Sequence, residues 1–130
     1  MAAMEEQGLS IHDEFIQSSN IDQIQEVLAD MLQWTERPEA IIAGNDRVLQ
    51  EVLKTMKQND IDVPKEIGLL TIDDVTFAEF YNPAITAIAQ PTYEMGRKAA
   101  ELLLEEIDGT KGSKKQTYRF EPSLQLRHSC

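Results

Sequence analysis

Residues 38–46 read P-E-A-I-I-A-G-N-D and residues 63–74 read V-P-K-E-I-G-L-L-T-I-D-D, and the stretch from Pro38 to Asp74 decides the fold. The apolar runs Ala40 to Ala43 and Ile67 to Ile72 stop on polar pairs, Asn45-Asp46 and Asp73-Asp74. Between them Val48, Leu49, Val52, Leu53 and Met56 recur at helical spacing. Apolar strands too short to alternate, joined through a helix, make a βαβ unit with two parallel, buried strands. The fold class is therefore α/β. Ligands of open parallel sheets bind beyond the carboxyl ends of the strands. Asn45 and Asp73 stand at those ends, and their rim is the candidate site.

Composition narrows the function classes. At 130 residues the chain suits one domain with a modest core. Its 42% apolar and 27% charged residues are those of a globular protein. A formal net charge of −11 repels a phosphate backbone, so this stretch is not expected to bind nucleic acid itself. No apolar run approaches the ~20 residues of a membrane span. The start M-A-A-M-E-E lacks the apolar core of a secretory signal. Cys130 is the sole cysteine, so no intramolecular disulfide is possible, which fits a cytoplasmic setting.

Before the central unit, Ala2 to Gln7 is helix-like and lacks a start signal, as though a longer helix had been cut. His12 to Gln17 reads as a short strand around Phe15-Ile16. Asn20 and Gln23 have the spacing of a capping box. Ile21, Ile24, Val27, Leu28, Met31 and Leu32 then give a helix over Ile21 to Gln33 one apolar face. After the unit, Val75 to Pro83 reads as a loop with at most one helical turn, carrying Phe77, Phe80 and Tyr81. Ile85 to Ala89 is a third strand. Pro91 suits a first helical turn, and the helix runs to Asp108 with Gly109 closing it. Gly109 to Ser113 is turn-rich, with lysines at 111, 114 and 115 nearby, and Gln116 to His128 is extended.

Catalytic signatures are missing. His12 and His128 have no third ligand at zinc spacing. Neither dinucleotide, P-loop nor nucleophile-elbow motifs occur. Asp73-Asp74 alone is a thin basis for a Mg²⁺ or phosphoryl-transfer site. Each singled-out residue also has a plainer use. Asn45 caps a helix, Asp46 complements its dipole, Asp73 and Asp74 make turns, and Gln90 leads into a helix. The aromatics of the loop pack locally.

The two opening blocks, with N-P-A-I-T-A-I-A-Q-P-T-Y-E-M-G-R-K-A-A-E-L-L-L-E over residues 82–105 and the ending L-Q-L-R-H-S-C, resemble the C-terminal part of the lac/galactose repressor (LacI/GalR) family. The order and spacing of the blocks fit as well as their content. The resemblance implies a three-layer parallel-sheet lobe like that of periplasmic sugar-binding proteins, here incomplete, and no enzyme, metal or cofactor. It implies an effector, a sugar or related small molecule, held between two lobes. Asn45 and Asp73 match the polar residues that touch the effector, Gln90 a glutamine at the lobe crossover, and Ile21 a position often given to a stacking aromatic. Thr71 and Ile72 stand where members usually have a glycine and an aromatic. The arginine of an R-x-x-G-F motif would fall before Met1.

By the same resemblance, residues 1–90 form a C-terminal lobe, 91–115 a crossover helix and loop of the other lobe, and 116–130 the returning strand. DNA would be met only through an N-terminal helix-turn-helix about 200 residues upstream. Effector binding would shift the relative placement of the lobes. This stretch alone should bind a sugar no tighter than about millimolar, since a cleft ligand is buried from both sides. The stripe Met95, Ala99, Leu102, Leu103 and Ile107 lacks its partner sheet and is expected to form a homodimer. The competing readings are a piece of a sugar-binding transport protein and an Asp-based phosphoryl-transfer or metal-dependent domain.

Overall fold

The computed structural model describes residues 2–109 and 116–130. The lysines at 111, 114 and 115, and most of the loop expected after Gly109, lie outside them. The helices are α1 (Ala2–Glu6), α2 (Ile24–Met31), α3 (Asp46–Gln58) and α4 (Thr92–Ile107). The strands are β1 (Ala40–Ala43), β2 (Gly68–Ile72), β3 (Thr86–Ala89) and β4 (Ser123–Gln125). They form one four-stranded sheet in the order β1-β2-β3-β4.

The central βαβ unit forms as its periodicity dictates. β1 and β2 are parallel, with Ala43 opposite Thr71. β3 joins β2 in parallel, with Thr71 opposite Ala87. β4 returns antiparallel to β3, with Leu124 opposite Ile88. The sheet is thus mixed, with parallel pairs dominating. α3 places Leu49, Val52 and Met56 in one cluster with Ala43 and Leu69 of the sheet and Ile85 just before β3, and α2 adds Leu28; Leu32 follows α2. These side chains are the core. Each fully buried Leu or Ile there stabilises the fold by roughly 1.5–3 kcal/mol.

Two expectations near the amino end are corrected. The strand around Phe15-Ile16 does not form; Asp13–Phe15 is a 3-10 turn. A strand needs a neighbour for its N–H and C=O groups, and the sheet ends at β1. Phe15 instead stacks on Trp34, ring centroids 6.0 Å apart. The capping box is absent as well: Asn20 makes no side-chain cap and the helical run opens as a 3-10 turn, Ile21–Gln23. There Gln23 N–H donates to the Asn20 carbonyl, so backbone closes the turn where a side chain was expected. The run then continues as α2 and loosens beyond it, with Gln33 N–H donating to the Asp30 carbonyl.

α4 differs from the other long helix. Pro91 sits just before its first residue, and Gly109 follows its end at φ +65°, the left-handed turn expected of it. None of its residues is buried. Lys98 Nζ lies 4.9 Å from the centroid of the Tyr118 ring, so the extended chain after the loop covers part of one side.

Candidate functional site

Three sequence-singled residues lie at the carboxyl ends of three adjacent parallel strands. Asn45 follows β1, Asp73 follows β2 and Gln90 follows β3. In-register pairing carries Asn45 and Asp73 to the same level two residues beyond Ala43 and Thr71, and neighbouring strands are ~4.8 Å apart. Asn45 is the N-cap of α3: its Oδ1 accepts from Val48 N–H at 3.0 Å. That use spares the amide NH₂ on an exposed side chain. Asp73 N–H donates to the Ile88 carbonyl at 3.0 Å, prolonging the β2–β3 ladder by one bond. Its φ of 76° then turns the chain left-handed out of the sheet, a conformation uncommon outside glycine but tolerated by Asp. Gln90 Nε2 donates to Asp73 Oδ1, which leaves Oδ2 as an acceptor.

Ile21 opens the 3-10 turn that leads into α2. It lines a polar hollow of about 350 Å³ on α2 and α3 with Asp22, Gln25, Arg47, Gln50 and Glu51. Lys54 and Gln25 both donate to the Glu51 carboxylate and hold its pKa below the usual value. None of the three rim residues lines that hollow. A larger groove, about 430 Å³, runs beside β1 between Met4, Phe15, Ile16, Val27 and Ile42. It is apolar and it too excludes the rim.

The neighbour of Asp73 has a separate commitment. Asp74 takes a two-pronged ion pair from Arg127, both N···O distances 2.8 Å. Arg127 Nη1 also donates to the Ile85 carbonyl at 2.7 Å, and its backbone N–H to Thr86 Oγ1 at 3.0 Å. Asp74, ahead of the cost of partial burial, raises the Arg127 pKa further above its ordinary value. Two residues on, the buried Ser129 hydroxyl accepts from Thr86 N–H at 2.8 Å and donates to the Leu69 carbonyl. The Ser129 carbonyl accepts from Leu69 N–H at 2.7 Å. The ending R-H-S thus stitches β2 to β3. Sequence reading noted this ending without assigning it a use, because its partners lie 41 to 60 residues away. Among the described residues no group of three or more His, Cys, Asp or Glu is arranged to hold a metal ion.

Three parallel strands closed by a returning antiparallel strand, with helices packed on the sheet, make a lobe of α/β type. The chain belongs to the periplasmic binding protein-like domain family, whose model matches residues 1–130. It is 41% identical over 100 residues to the probable HTH-type transcriptional regulator EndR of Paenibacillus polymyxa, covering 77% of this chain and 29% of that protein. It is 32% identical over 129 residues to the HTH-type transcriptional repressor PurR of Vibrio parahaemolyticus, covering 98% and 38%. The chain therefore spans well under half the length of these relatives. A solved complex of transcriptional regulator CelR with cellobiose has the same fold at TM-score 0.83 and 24% identity, covering 99% of this chain and 40% of that one. No helix among the described residues is long and apolar enough to cross a membrane.

Proposed function

We propose that this chain is effector-sensing structure of a LacI-type transcription repressor, and that the effector is a sugar or related polyol met by Asp73, Asn45 and Gln90. The observation carrying the proposal is the rim itself. Asp73 keeps one carboxylate oxygen free beside the Gln90 amide, and Asn45 one strand away keeps its NH₂. Adjacent hydroxyls of a sugar need such a mixture of charged acceptor and neutral donor. The cellobiose complex of CelR, alike in fold, supports the same ligand class.

In this reading the chain binds and does not catalyse, works in the cytoplasm, and reaches DNA only through a helix-turn-helix elsewhere in the parent protein. Residues 1–90 and 116–130 serve one lobe and 91–115 the other. Ile21, which lines a hollow with Arg47 in the first turn of α3, flanks the same ligand. The face of α4 bearing Met95, Ala99, Leu102, Leu103 and Ile107 meets a second copy. The test is calorimetry with cellobiose and a panel of monosaccharides. Dissociation constants of about a millimolar are expected, near −4 kcal/mol. Asp73→Ala should weaken binding about ten- to a hundredfold, the loss of one hydrogen bond to a charged group. Binding unaffected by Asp73→Ala would overturn the assignment.

A further inference from the structure

The turn at Asp73 has to be held by something. β2 ends at Ile72, yet the chain must run back to begin β3, which is parallel to it, at Thr86. The chain leaves the strand at Asp73, at φ 76°. Upstream, the residue is fixed by its N–H bond to the Ile88 carbonyl. Downstream, the next residue is gripped from both carboxylate oxygens by Arg127, 53 positions later in the chain. The same guanidinium also bonds the Ile85 carbonyl, just before β3 begins. Only a planar, multi-donor fork can tie a carboxylate in two-pronged fashion and reach a carbonyl as well; a lysine ammonium acts as a point charge. The Arg127 and Asp74 side chains keep 17% and 25% of their surface exposed.

We propose that Arg127 is a positioning residue for the rim: by clamping Asp74 it fixes the left-handed turn that keeps the Asp73 carboxylate beside Gln90. The inference rests on the reading of Asp73 as a ligand contact, but its geometric half is independent of any ligand. Ser129 is the internal comparison, because it anchors the same chain end to β2 and β3 without touching the Asp73-Asp74 turn.

The test is the side-chain amide resonance of Gln90 in the whole chain, followed by NMR in wild type, Arg127→Ala, Arg127→Lys and Ser129→Ala. In wild type the amide proton directed at Asp73 should stand apart from that of a solvent-exposed glutamine. Arg127→Ala and Arg127→Lys should both return it to the free position, whereas Ser129→Ala should leave it in place despite a comparable loss of chain-end anchoring. Should Arg127→Ala fail to fold, Arg127→Lys alone carries the comparison. A Gln90 amide unchanged in either folded Arg127 variant, or equally displaced by Ser129→Ala, overturns the proposal. Cellobiose affinity then reports the functional half, with Arg127→Lys expected to weaken it roughly tenfold. If wild type binds no cellobiose, the proposed effector class fails and the amide result stands on its own.

Discussion

Helices α3 and α4 are written in the same language and end in different surroundings. α3, 13 residues long, buries Leu49, Val52, Thr55 and Met56. α4, 16 residues long, buries nothing, and Leu103 and Ile107 remain 62% and 70% exposed. The difference lies in their connections. α3 is strung between two paired strands, so its apolar face has only one place to go, onto the sheet. α4 leaves through Gln90 and Pro91, and its chain rejoins the sheet only at Ser123. An amphipathic pattern specifies that a face needs cover, and the connections decide whether the same chain supplies it.

Substitution at matched leucines should expose that contrast most strongly. Leu49→Ala should cost about 2–5 kcal/mol in urea unfolding, because it empties a fully buried site. Leu103→Ala should stay within about 0.5 kcal/mol in dilute solution. At tens of micromolar, wild type should sediment as a dimer and Leu103→Glu as a monomer. A wild-type monomer, or a mutant that stays dimeric, would break the proposed α4 interface.

A smaller effect is expected at the chain end. Ser129→Ala strips the Thr86 N–H and the Leu69 carbonyl of a buried partner. Leaving such a group unsatisfied costs about 1–3 kcal/mol. A change near zero would mean that β3 is held by β2 and β4 alone.

The smallest effect concerns pH. Glu66 accepts from Asp62 N–H at 2.8 Å and pairs with Arg37 at 3.2 Å, and these contacts hold its pKa below the ordinary value. A carboxylate with a lowered folded-state pKa contributes stability that is complete above its unfolded pKa and lost as pH falls through the folded one. The urea midpoint should therefore drop as pH falls below the ordinary carboxylate range. Glu66→Gln should flatten part of that drop. Because the pair is well exposed, the contribution should be slight.

What could be read from sequence tracks the range over which each element is determined. β1 over Ala40–Ala43 and α3 through Gln58 were legible because local periodicity and the Asn45 cap specify them. The shared rim of Asn45 and Asp73 followed from the βαβ rule. The strand near Phe15 was misread because apolar residues there satisfy a strand pattern, while hydrogen-bonding neighbours are a property of the sheet. Arg127 and Ser129 carry no local signal, since their partners at Asp74, Thr86 and Leu69 are distant in the chain. A turn at Asp73 was legible from the residue type, whereas its link through Asp74 to Arg127 was not.

A backbone amide titration with cellobiose, followed by NMR, probes the proposed sugar contact of the strand-end rim residue by residue. Resonances of Asn45, Asp73 and Gln90 should move together with a midpoint at about millimolar sugar, and Asp73→Ala should abolish the movement while the fold persists. Shifts confined to the apolar groove beside β1, or rim shifts that survive Asp73→Ala, would contradict the account.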